Sequence, residues 1–126
     1  MKKFKQLGIW MDDANALLME FYNHMIISKS IVFKPLLNEE NNPEQQHDTQ
    51  MQSKEENKYQ LAFFKEISDI VLNYQEVLLF GPTQAKNELL ELIKADHNFA
   101  NIKFDVIDTE VMTENKMHEF VIEYFR

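Results

Sequence analysis

The sequence predicts an α/β fold in which one mixed sheet is flanked by helices. Three observations carry this. The runs Leu7–Met11, Ala16–Tyr22 and Met25–Phe33 are rich in Ile, Leu, Val, Phe and Trp, as strands are. The hydrophobic period changes to that of a helix from Tyr59 onward. In Glu76–Leu89, EVLLFGPTQAKNEL, an apolar strand runs through Gly81-Pro82 straight into an amphipathic helix.

The first three runs are separated by Asp12-Asp13-Ala14-Asn15 and by Asn23-His24, both good turn sequences, so they read as an antiparallel meander. Asn38–Asn57 follows, with Met51 its one apolar residue. Such a segment buries too little surface to offset the entropy of ordering its backbone, and it is expected to be a flexible polar insertion. Beyond it, Tyr59, Phe63, Ile67, Ile70 and Tyr74 recur at spacings of four, four, three and four, and Ala62, Val71 and Leu72 widen the stripe. Val77–Phe80 is apolar at every position, the mark of a strand covered on both faces. Ala85, Leu89, Leu92 and Ile93 mark a second helix, Ile102, Phe104, Val106 and Ile107 a last strand, and Met117, Phe120, Val121 and Tyr124 a third helix capped by Thr113.

The resulting order is β-β-β-α-β-α-β-α, a meander leading into parallel strands joined by right-handed crossovers. That is the order of the three-layer ribonuclease H-like architecture. With 126 residues, 44% of them hydrophobic, the chain suits one domain over 1–126, with the insertion at 38–57 as an excursion from a shared core.

The absence of cysteine removes disulfides, thiolate metal sites and cysteine nucleophiles together, and agrees with a cytoplasmic setting. Lys2, Lys3 and Lys5 precede an apolar run of only five residues, too short for a signal peptide or a membrane span. A net charge of −8 repels phosphate backbones and disfavours DNA, nonspecific RNA and anionic lipid as partners. Between Asn38 and Lys58 six acids face only Lys54 and Lys58, so half of that charge sits there. Lys2, Lys3, Lys5, Lys29 and Lys34 are left as candidates for a local basic patch, with Lys2, Lys3 and Lys5 the candidate RNA or partner contacts.

Candidate chemistry is sparse. Asp12 and Asp13 end the first strand, where a nuclease of this architecture places a metal-binding carboxylate, but no spacing forces Glu20, Asp105 and Asp108 to converge there. Asp-rich turns are also ordinary hairpin chemistry. His24, His47, His97 and His118 form no i, i+4 pair and read as solvent-facing or capping residues. Ser28, Ser30, Ser53 and Ser68 lack a nucleophile-elbow context. Gly81, Thr83 and Lys86 are a candidate anion-binding set at a helix N-terminus, although the simpler reading gives Gly81 the tight turn and Pro82 the first helical position. No catalytic residue, metal or cofactor follows from these patterns. A protein–protein interface anchored by Trp10, Phe4, Phe21 or Phe125 is an alternative, with oligomeric state open, and a hydrolase or nuclease using Asp12 or Thr83 is another.

The opening GIWMDDANALLME, the later EVLLFGPTQAKNELLELI and the closing IKFDVIDTEVMTENKMHEFVIEYF resemble the central domain of class 1 archaeal and eukaryotic peptide release factors and of Pelota. They look still more like the small bacterial translational machinery components that consist of this domain alone. The resemblance implies a ribosome or translation-protein partner. In the release factors the loop between meander and long helix carries Gly-Gly-Gln, which positions water against the peptidyl-tRNA ester. Here the corresponding stretch is Asn38–Asn57, which has no glycine and only Gln45-Gln46 as an echo, so no catalytic residue is carried over.

Overall fold

The structure, a computed structural model, describes residues 5–32 and 49–126. Strands β1 (Gln6–Met11), β2 (Asn15–Tyr22) and β3 (Met25–Val32) are followed by the helix α1 (Thr49–Val71), β4 (Glu76–Gly81), α2 (Ala85–Lys94), a short 3-10 turn (His97–Phe99), β5 (Lys103–Asp108) and α3 (Glu114–Phe125). The five strands form one sheet in the order β3-β2-β1-β4-β5. β1, β2 and β3 pair antiparallel, while β4 and β5 run parallel to β1. This is the expected α/β, ribonuclease H-like layout, a meander continued by parallel strands.

Both expected turns form. Asp12 Oδ1 accepts the backbone N–H groups of Ala14 and Asn15 at 2.9 and 2.7 Å, closing the first hairpin. Asn23 and His24 both take positive φ, 52° and 63°, in the two-residue turn between β2 and β3. The expected insertion at 38–57 falls outside the described residues as far as His47 and Asp48; from Thr49 the backbone is helical.

Alternation along the strands divides the core into two layers. Leu7, Ile9 and Met11 of β1 and Val77 and Leu79 of β4 face α1 and α2, meeting Phe63, Phe64, Ile67, Leu89 and Ile93. Trp10, Leu78 and Phe80 face α3 and meet Met117 and Val121, with Phe120 stacked on Phe80 at a centroid distance of 4.7 Å. Val77 through Phe80 are fully buried, which explains their unbroken apolarity. Each such side chain contributes about 1.5–3 kcal/mol.

Gly8 lets α3 approach the sheet. A Cβ at that position would lie 2.4 Å from Val121 Cγ2. The helix starts as expected at Thr113, whose hydroxyl accepts the Lys116 N–H.

Candidate functional site

In open α/β sheets the place to look for a site is the carboxyl end of the parallel strands. Here β1, β4 and β5 deliver Asp12, Gly81-Pro82-Thr83 and Asp108-Thr109 to one edge. Gly81 has φ +149°, and a Cβ on it would lie 2.1 Å from the Met11 carbonyl oxygen. Its own carbonyl accepts the Thr109 N–H at 3.1 Å. Glycine is therefore required by both torsion and space, and this residue welds the ends of three strands together.

The helix after it starts later than the sequence suggests. Pro82 does not occupy the first helical position: α2 begins at Ala85, behind a Gln84 cap with φ −80° and ψ −5° that makes no side-chain capping bond. Pro82 and Thr83 lie in the connection, because Gly81 must first turn the chain away from Met11. The Thr83 hydroxyl accepts the Ala85 N–H at 3.3 Å.

Lys86 turns inward. It is fully buried, and its Nζ donates to the Thr83 carbonyl at 2.7 Å and pairs with Asp108 Oδ1 at 2.7 Å. The ammonium that would attract an external anion is thus neutralised internally, and it ties α2 to the end of β5. Asp108 itself is mostly exposed and meets the buried ammonium from the solvent side. The sequence offers Lys86 as a candidate anion contact and does not show this pair. The signal was available: Lys86 stands three and seven residues before Leu89 and Ile93, on the core-facing stripe of the helix.

The remaining carboxylates do not gather. Asp12 is engaged by turn amides, Asp105 accepts from Tyr124 Oη and from the Val106 N–H, and Glu20 accepts from Tyr74 Oη at 2.6 Å. Glu20 lies opposite Leu7, near the start of β1, and therefore at the other end of the sheet from Asp12. Among the described residues no set of three or more His, Asp or Glu side chains is placed to hold a metal ion. Burial, then the hydrogen bond to Asp105, pushes the Tyr124 phenol up to about 12. Burial, then the bond to Glu20, raises Tyr74 still further.

That opposite end carries Lys5, whose N–H donates to Gln75 Oε1 at 2.6 Å and whose ammonium stands 5.9 Å from the centre of the Tyr74 ring. Lys5, Gln6, Glu20, Phe21, Tyr22 and Ile27 line a cavity of about 610 Å³. Lys2, Lys3, Lys34 and Phe4 lie outside the described residues. Ser28, Lys29 and Ser30 are exposed on β3, while the Ser68 hydroxyl donates to the Phe64 carbonyl within α1.

Of the histidines, His24 sits in the β2–β3 turn against Phe21, and His97 opens the 3-10 turn. His118 is half-buried, correcting the solvent-facing expectation, with Nε2 3.8 Å from Glu114. Among the candidate interface aromatics, Trp10 belongs to the core, and Phe21 and Phe125 pack on each other at its border.

No family model matches this chain, and no curated protein matches it. Solved structures do. Pelota from Archaeoglobus fulgidus superposes with a TM-score of 0.61 at 10% identity, covering 98% of this chain and 32% of that one. Pelota from Thermoplasma acidophilum gives 0.59 at 12% identity over 94% of this chain and 32% of that one. An archaeal translation termination factor gives 0.54 at 12% over 96% of this chain and 39% of that one. The chain thus has a release-factor and Pelota-like fold, and it spans roughly a third of the length of each of these proteins.

No helix among the described residues is long and apolar enough to cross a membrane.

Proposed function

We propose that this chain is a non-catalytic, release-factor-like domain that associates with the translation machinery in the cytoplasm, through the ribosome, ribosomal RNA or a translation protein. One observation carries the reading: a fold shared with two Pelota proteins and a translation termination factor, across 94–98% of the chain. The chemistry of the strand ends supports the non-catalytic part, since Lys86, Asp108 and Asp12 are each engaged by partners within the chain. Neither DNA, a membrane, a metal nor a cofactor enters this reading.

Contact with RNA falls to the lysines at the start of the chain. Lys5 is exposed and lies next to Lys2 and Lys3 in sequence, away from the acids of 38–58. A short basic cluster of this kind gives salt-dependent attachment.

The test is sedimentation of native lysate through a sucrose gradient. The protein is expected in the ribosomal fractions, moving to the top after RNase treatment, and to dissociate with less salt once Lys2, Lys3 and Lys5 are neutralised. Sedimentation at the top of the gradient under all conditions, at low salt as well, contradicts the reading.

A further inference from the structure

The two edges of the sheet differ. β5 carries Lys103, Asp105 and Asp108 along its exposed positions, charges that discourage another strand from pairing. β3 has one guard, Lys29 near its middle. Its eight residues, MIISKSIV, contain one charge, no proline and no glycine, and among the described residues nothing pairs with its outer side. Met25 and Ile27 stand 67% and 60% exposed and Val32 49%. A long apolar edge of this kind is a template for a further strand.

We infer that β3 pairs antiparallel with β3 of a second copy, joining two sheets into one of ten strands about a two-fold axis through Ser28. The hairpin sets which groups are free. In a two-residue hairpin the residues flanking the turn, here Tyr22 and Met25, exchange both backbone bonds. Ile26, Ser28, Ser30 and Val32 therefore turn their N–H and C=O groups outward.

The occupant is a second copy because the strand is complementary to itself. Pairing centred on Lys29 would set two ammonium groups face to face, which is unfavourable. Centring on Ser28 removes that conflict. Lys29 then lies across from the other copy's Ile27, and Ile31 across from its Met25. Within each copy Ile27 is opposite Glu20. Lys29 of one copy and Glu20 of the other are thus two strand spacings apart, about 9–10 Å, on the same face, a gap their side chains close across Ile27.

Light scattering after size exclusion tests this on the full chain. The expected mass at high concentration is twice 15.1 kDa, falling to the monomer on dilution. Ser28→Pro blocks an outward N–H that β2 does not use, so it is expected to give monomers with unchanged circular dichroism. Ile27→Lys, opposing Lys29 of the other copy, is expected to weaken the dimer, whereas Ile27→Glu retains it. The chain has no cysteine, so Ser28→Cys introduces a single thiol that is expected to cross-link on oxidation, and Ser30→Cys one that does not. A wild-type monomer at every concentration, a dimer that survives Ser28→Pro, or preferential cross-linking through Ser30→Cys overturns the inference.

Discussion

In the parallel half of the sheet, β1 and β4 are covered on both faces and even a lysine is drawn inside, with Lys86 sealed between Thr83 and Asp108. In the antiparallel half, β3 leaves Met25, Ile27 and Val32 exposed along an edge that carries Lys29 as its one charge. Helical crossovers bury the first half, whereas a meander strand at the edge has a neighbour on one side only. Burial is therefore densest around β1 and β4, and the exposed apolar edge lies on the meander. Substitutions in the two halves separate these roles.

The largest effect is expected at Gly81. Gly81→Val forces a β-branched residue to φ +149° and drives its Cβ against the Met11 carbonyl, so the ends of β1 and β4 must separate. A loss of more than about 3 kcal/mol in a urea titration is expected, with little soluble folded protein. Thr83→Ala spares the turn and removes one weak capping bond, a change of about 0.5 kcal/mol.

Next comes the buried lysine. Asp108→Ala leaves the Lys86 ammonium with the Thr83 carbonyl as its remaining partner among the described residues, at a cost of about 1–3 kcal/mol. The cost stays below that of a wholly buried pair because Asp108 is exposed and water takes its place. Lys86→Met removes the charge along with its need for a partner and is expected to lie within about 1 kcal/mol of the wild type. If Asp108→Ala were neutral and Lys86→Met severe, the stem of Lys86 would matter and its charge would not.

Tyr74 couples the halves, reaching from the connection between α1 and β4 to Glu20 on β2. Its ionisation is pushed upward from 10.0 in the folded protein, so the stabilisation is present at neutral pH and up to about that value, and is lost as pH rises through the folded-state value. Tyr74→Phe is expected to cost about 0.5–1.5 kcal/mol at neutral pH and to reduce the fall in melting temperature on the alkaline side. The smallest effect on stability belongs to Ile27→Lys, within about 0.5 kcal/mol, even as association changes.

The sequence made the elements legible where a single pattern decided them. Val77–Phe80 had to be covered on both faces, Asn23-His24 had to turn, and Thr113 had to cap; each does so. The start of α1 was hidden because residues 49–57 have no apolar stripe to show a helical period. The Lys86–Asp108 pair at the strand ends was hidden for a different reason. A lysine one turn into a helix next to Gly-Pro-Thr suggests a ligand when residues are read locally, but its partner Asp108 lies twenty-two positions away and meets it only through β4–β5 pairing. Likewise Tyr74 and Glu20, fifty-four residues apart, are joined by topology and carry no shared motif.

The central claim, that the chain retains a translation-factor fold without the chemistry of peptide release, is tested most directly on stalled ribosomes carrying peptidyl-tRNA. The purified protein is expected to release no peptide above the no-factor control, while puromycin releases it from the same ribosomes. The reason is local, since the Gly-free stretch over Asn38–Asn57 lacks the backbone freedom and its negative charge opposes entry into an RNA-lined centre. Peptide release by the wild type that disappears on replacing Gln45 or Gln46 would contradict the account.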